Sequence, residues 1–222
     1  MSTDTAARSI IGVPGCWASR GDILRSFLED CPGYLFSSAM MVHKDTKTHF
    51  DVDVYDRDDN LAEAFSVAGG DRFSNEQIQA IAEHTCCVYL IGEGGSPESA
   101  RRIMDAGRAL LDCGGLGVKI ESAGTAHSPE GWRELCNDGR LGSLLKAFTT
   151  YVGGNGLYYS CGMHNLGYPD CVVEASISPA DAANLIHVFL GYLLTENPMI
   201  NSGETFSVDP DAPLYRLAKE DC

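Results

Sequence analysis

Three Ser-Pro steps, Ser96-Pro97, Ser128-Pro129 and Ser178-Pro179, mark where helices begin in this chain. A serine hydroxyl accepts from the free amides of a first helical turn, and proline suits the first helical position because its missing N–H was unpaired there anyway. Asp181 stands three residues after Ser178, and Gln77 three after Ser74, the spacing of a capping box. From such starts helices are expected over 20–31, 75–84, 97–113, 129–137, 141–151 and 179–195, with a short one over 60–68. In the last long one Leu185, Val188, Phe189, Tyr192 and Leu193 share a face.

Between the helices lie apolar runs that read as strands, over 9–13, 34–43, 48–55, 86–91, 117–121, 156–163, 171–177 and 204–208. The stretch "HFDVDVYD" alternates, with Phe50, Val52 and Val54 on one face and His49, Asp51, Asp53 and Tyr55 on the other. That is the pattern of a half-buried antiparallel strand. "CCVYLI" is apolar throughout and suits a central strand covered on both faces.

The chain also resembles itself. "GYLFSSAM" (33–40) aligns without gaps on "GLYYSCGM" (156–163), which sets Ser38 against Cys161. "IIGVPGCWAS" shares its layout with "KIESAGTAHS". Each copy is followed by a strand, a helix and a strand, the order of a ferredoxin-like unit. The expected fold is therefore α+β, with two ferredoxin-like βαββαβ halves packed into one globular body. Residues 8–92 would form the first half, 93–115 a linking helix and 116–210 the second half.

Of the 222 residues, 44% are hydrophobic and 21% charged, enough apolar mass to bury a core. No apolar run reaches the roughly 20 residues that span a bilayer. The start, "MSTDTAARSIIGV", lacks the long apolar centre of a secretory signal. The nine cysteines lack any C-x-x-C spacing and read as reduced, mostly buried thiols, so the cytoplasm is the expected location. A net charge of −15 repels nucleic acid and anionic membranes and attracts basic partners.

"GLYYSCGMHNLGYPD" is the densest stretch of chemistry. Cys161 and His164 could pair as nucleophile and base, or join Cys171 on zinc, but no fourth ligand or third triad member stands nearby. Gly167 and Pro169 read instead as turn residues between strands. His49, Asp51 and Asp53 on one strand face, with His43 across a hairpin, could hold a divalent ion; the ordinary alternative is a solvated polar face. "YLIGEGGSPESARR" has a strand, glycine turn and helix but lacks the P-loop Lys-Ser/Thr, and Glu93 and Glu98 would repel a phosphate. Trp17, Arg20, His127 and Trp132 fall near two helix starts, where they would either flank a ligand or pack the halves together.

The motif "SCGMHNLGYPD", with "GVPGCWASR" and "GGLGVKIESAGTAHSPEGW", resembles an uncharacterised bacterial family known only as a domain of unknown function, of the 4261 type. Ser160, Gly162 and Met163 fill a Thr-x-Gly-Met core, and Gly167, Pro169 and Asp170 a Gly-x-Pro-Glu step, with serine and aspartate replacing the usual threonine and glutamate. The resemblance implies a bacterial cytoplasmic accessory protein and brings no catalytic residue or cofactor. Two functions remain. One is a non-enzymatic acidic binding protein, an immunity-type inhibitor of a basic toxin domain, contacting its partner through Asp51, Asp53, Asp56, Asp58 and Asp59. The other is a small enzyme using His43, His49, Asp51 and Asp53 on a metal, or Cys161 with His164.

Overall fold

The computed structural model describes residues 7–37 and 39–219. Ser38 and the first six residues, both used in the sequence reading, lie outside them. In chain order the elements are β1 (Arg8–Gly15), α1 (Arg20–Asp30), β2 (Tyr34–Phe36), β3 (Met40–His43), β4 (His49–Asp56), α2 (Leu61–Gly69), α3 (Asn75–Ala82), β5 (Cys86–Glu93) and α4 (Pro97–Asp112). There follow β6 (Val118–Ile120), β7 (Thr125–His127), α5 (Pro129–Asp138), α6 (Leu141–Phe148), β8 (Thr150–Gly154), β9 (Leu157–Cys161), β10 (Val172–Glu174) and α7 (Pro179–Glu196). A hairpin of β11 (Thr205–Phe206) and β12 (Tyr215–Arg216) comes last.

The helices begin where local chemistry says they should. Ser19, Ser74, Ser96, Ser128 and Ser178 each accept from the amide three residues on, and Ser74 with Gln77 completes a capping box. The helix expected over 141–151 stops at Phe148, because the β-branched and glycine residues of "TYVGG" pair with β9 instead. The run 34–43 is two strands, not one: β2 folds back on β3, with Leu35 opposite Val42.

Seven antiparallel strands form one sheet in the order β2-β3-β4-β5-β1-β6-β7. Ile11, Val13, Phe50, Val52, Val88 and Leu90 make its buried face, packed beneath α1 and α4 in the main core. α4 buries a broad apolar face, with Ala100, Ile103, Met104, Ala106, Leu110 and Leu111, and turns Glu98, Arg101, Arg102 and Asp112 outward; at Gly107 a Cβ would come within 2.8 Å of Ile11 on the sheet and 3.2 Å of the Trp132 indole from α5. On the other face of the sheet, α2 and α3 cover only one end, burying Leu61, Phe65 and Ile81 with Cys87. A separate three-stranded sheet, β10-β9-β8, is backed by α7.

The fold is mixed α+β, but the duplicated ferredoxin-like arrangement is not confirmed. A split βαβ unit sets one strand between β1 and the strand after α1; here β5, β4 and β3 all intervene before β2. β4 and β5, which flank α2 and α3 in the chain, are direct antiparallel neighbours, Val52 against Leu90 and Val54 against Val88. That register joins the apolar face of the alternating strand to the core face of β5. The second half adds β6 and β7 to the same sheet and keeps only a meander of its own.

Candidate functional site

The uncovered part of the seven-stranded sheet is built by strand alternation. Cross-strand rows bring Lys119, Gly12, Tyr89 and Asp53 side by side, and Ile10, Ile91 and Asp51 next to them. Tyr89 lies across Gly12, where a Cβ would be 2.9 Å from its ring and 3.1 Å from the Glu121 carboxylate. Tyr55 meets Tyr89 edge to face, centroids 5.5 Å apart, and remains 60% exposed. At the end nearest α2, Tyr55, Asp56, Asp58, Leu61, Cys87 and Tyr89 line a cavity of about 440 Å³.

The charge around this cavity is negative. Lys119 is engaged by Glu121, Arg8 by Asp51 at 2.9 Å and Arg57 by Asp59 at 3.0 Å, while Arg20 donates to the Val54 carbonyl. Burial, with the Glu121 and Asp58 carboxylates behind it, pushes the Tyr89 phenol well above its ordinary range. Burial pushes the Cys87 thiol up to about 12. Both groups therefore stay neutral. Two aromatic rings beside carboxylates suit an ammonium or guanidinium group, held by ring quadrupole and charge together.

The five acids expected to form one cluster are spread over different tasks. Asp53 faces the open sheet beside Tyr89, and Asp56 and Asp58 reach the cavity. Asp58 Oδ1 also accepts from the Asn60 backbone and side chain, at 2.9 and 3.2 Å, which organises the start of α2. Asp59 pairs with Arg57 at 3.0 Å, and Asp51 with Arg8.

The set His43, His49, Asp51 and Asp53 does not converge. Val42 is opposite His49, so His43, one residue on, points to the other face, where its ring meets Tyr34 edge-on at 4.8 Å. Its Nδ1 accepts from the Thr46 amide. Among the described residues no three His, Cys, Asp or Glu side chains are placed to hold a metal ion.

The "SCGMHNLGYPD" turn is a packing device. Asp170 Oδ1 accepts from Ser160 Oγ (2.8 Å) and the Met163 amide (3.2 Å), while Oδ2 accepts from the Gly162 amide (3.2 Å). Asn165, fully buried, accepts from Ser9 and Ser122 hydroxyls at 2.8 and 2.9 Å and donates to the Gly162 carbonyl. A Cβ on Gly162 (φ +121°) would lie 1.9 Å from the Phe148 carbonyl oxygen, and one on Gly167 (φ +85°) 2.3 Å from that of Gly95. Cys161 and His164 do lie near Asp170, the latter with Nδ1 3.9 Å from the carboxylate. Yet the Cys161 thiol points to the Ser122 carbonyl, and burial first, then the Asp170 charge, raises its pKa. A nucleophilic cysteine needs the opposite shift. Nothing in the sequence announced Asn165; Asp170 was visible only as part of a turn.

The glycine turn after β5 is likewise spent on packing, its Gly94 and Gly95 amides donating to the carbonyls of Ala7 and Asn165. Trp17 and Trp132 are both buried, Trp17 donating to the carbonyl of Cys113 just past α4 (2.8 Å) and Trp132 to that of Met104 within it (3.1 Å). Arg20 reaches the Val54 carbonyl, and His127 is buried beside Trp132. None of these four side chains is among the residues lining the cavity.

The turn, β10, α7 and the last hairpin coincide with a known sequence family. Residues 159–220 match DUF4261, a domain of unknown function. No curated protein and no solved structure matches the chain. The DUF4261 segment thus begins within β9 and contains the whole Ser160–Asp170 turn, whose glycines and aspartate serve the fold. The open face of the seven-stranded sheet lies outside the DUF4261 segment. No helix among the described residues is long and apolar enough to cross a membrane.

Proposed function

We propose that this chain is a non-enzymatic binding protein that covers a basic surface of a protein partner, in the manner of an immunity-type inhibitor of a toxin domain. The observation that carries the reading is the cavity at the open sheet face, where Tyr55 and Tyr89 stand beside Asp53, Asp56 and Asp58 while Arg8, Arg57 and Lys119 are paired with other acids. A net charge of −15 adds a long-range field that would speed encounter with a basic partner. A lysine or arginine of the partner would enter the cavity against the Tyr55 and Tyr89 rings, with Asp53 and Asp56 opposing its charge. The thiol and metal readings lack support, since Cys161 is held as a thiol and the histidines face apart.

The test is affinity capture of the tagged chain from its native extract at low salt, followed by titration of the purified partner. The expected result is one basic protein in stoichiometric yield, released by salt. Asp53→Asn with Asp56→Asn should weaken it and flatten its salt dependence. A partner indifferent to salt and to these changes, or a small molecule captured in its place, overturns the reading.

A further inference from the structure

Two buried thiols outside this face stand in contact. Cys31 closes the C-terminus of α1 and Cys113 that of α4, and their sulfurs are 3.2 Å apart although the residues are 82 positions distant in the chain. They are 7% and 3% exposed. Both backbone amides already complete their helices, donating to Phe27 and Ala109 carbonyls at 3.1 Å, so neither helix end need open for the side chains to move. Cys31 Sγ also points to the Ala109 carbonyl at 3.2 Å, and the Trp17 indole holds the Cys113 carbonyl at 2.8 Å. The sulfurs are therefore confined. A disulfide of about 2.0 Å asks them to approach by roughly 1 Å.

We propose that Cys31 and Cys113 are a dithiol site that closes to a disulfide by exchange with a low-molecular-weight disulfide such as oxidised glutathione. The Cys31 thiolate attacks one glutathione sulfur, giving a mixed disulfide and one glutathione thiolate. The Cys113 thiolate then attacks Cys31 Sγ and displaces the second glutathione. Two electrons pass from the protein to the glutathione disulfide, and the two protons lost by the protein thiols end on the two released glutathiones. The covalent loop encloses β2 through β5, including the strands that carry Asp53, Tyr55 and Tyr89. Cross-linking so long a segment restricts the unfolded chain and so favours the fold.

The full chain is unfolded in urea, refolded in a buffer of oxidised and reduced glutathione, quenched with acid, alkylated and mapped by mass spectrometry. The expected product loses two hydrogens, carries one Cys31–Cys113 link, and unfolds at higher urea than the reduced chain. Exposed Cys16 serves as the internal control for reaction with glutathione. Cys31→Ser and Cys113→Ser, each tested for an unchanged circular dichroism spectrum, should abolish the link without creating another. Recovery of both residues as free thiols while Cys16 carries glutathione overturns the proposal. So does a linked chain that unfolds at lower urea than the reduced one, since the native geometry would then resist the bond.

Discussion

Lowering the pH from 7 to 5 should weaken this fold through one side chain, His127. Its ring is 3% exposed, and Nε2–H donates to the Ala147 carbonyl at 3.0 Å, which requires a protonated Nε2. Burial, aided by the Arg72 guanidinium and opposed by the Ala147 carbonyl, lowers its pKa from 6.5 to about 4. Between these values the unfolded chain binds a proton that the folded chain refuses, so the stabilising contribution is complete above about pH 6.5 and is lost as pH falls towards 4. The whole shift corresponds to about 3 kcal/mol, and the part lost between pH 7 and pH 5 to about 2 kcal/mol. Other groups titrate in the same interval, so the measurement is a difference. Urea unfolding of the native chain and of His127→Gln, whose amide can still donate to Ala147, is followed at pH 7, 6 and 5. The native chain should lose about 2 kcal/mol more than the variant over that range. Parallel profiles would refute the reasoning, as would an NMR titration of His127 near 6.5 in the folded chain.

The turn at 162–170 makes further demands. Gly162→Ala should cost about 4 kcal/mol or more, because the new methyl meets the Phe148 backbone at 1.9 Å and the residue needs φ +121°; its urea midpoint, or failure to fold, reports this. Asp170→Asn replaces a carboxylate that accepts from two amides and a hydroxyl, and a loss of about 2 kcal/mol in chemical unfolding is expected. Cys161→Ser should leave both stability, within about 1 kcal/mol, and partner affinity unchanged, since the thiol is neither ionised nor paired with His164; a sharp loss of function in a folded variant would return the turn to consideration as an active site. Ser128→Ala removes the hydroxyl that caps α5 and should cost about 1 kcal/mol by thermal or urea unfolding.

Much of the secondary structure was legible because its causes are local. A serine that caps a helix does so through the amide three residues on, so Ser74, Ser96, Ser128 and Ser178 announced their helices without help from the rest of the chain. The alternation in β4 likewise declared which of its residues face the core. Weak strands were harder. β7 and β8 are short and exist through their pairing with β6 and β9, and a run that reads as a single strand at 34–43 proved to be two.

Candidate sites were legible only as residue types. Whether His43 and His49 meet depended on a register that sets Val42 opposite His49, and one residue of offset turns a ligand pair into opposite faces. The pairing of Tyr55 with Tyr89, the contact of Cys31 with Cys113 and the joining of Ser9, Ser122 and Asn165 all bring together residues far apart in the chain. The sequence by itself determined where most helices start, which strand faces are apolar, and a net charge of −15. Tertiary structure alone decided the strand order, the open sheet face and the duty of the glycine-rich turn. Local signals act through neighbours a few bonds away, whereas strand order and side-chain convergence depend on which distant surfaces bury one another best.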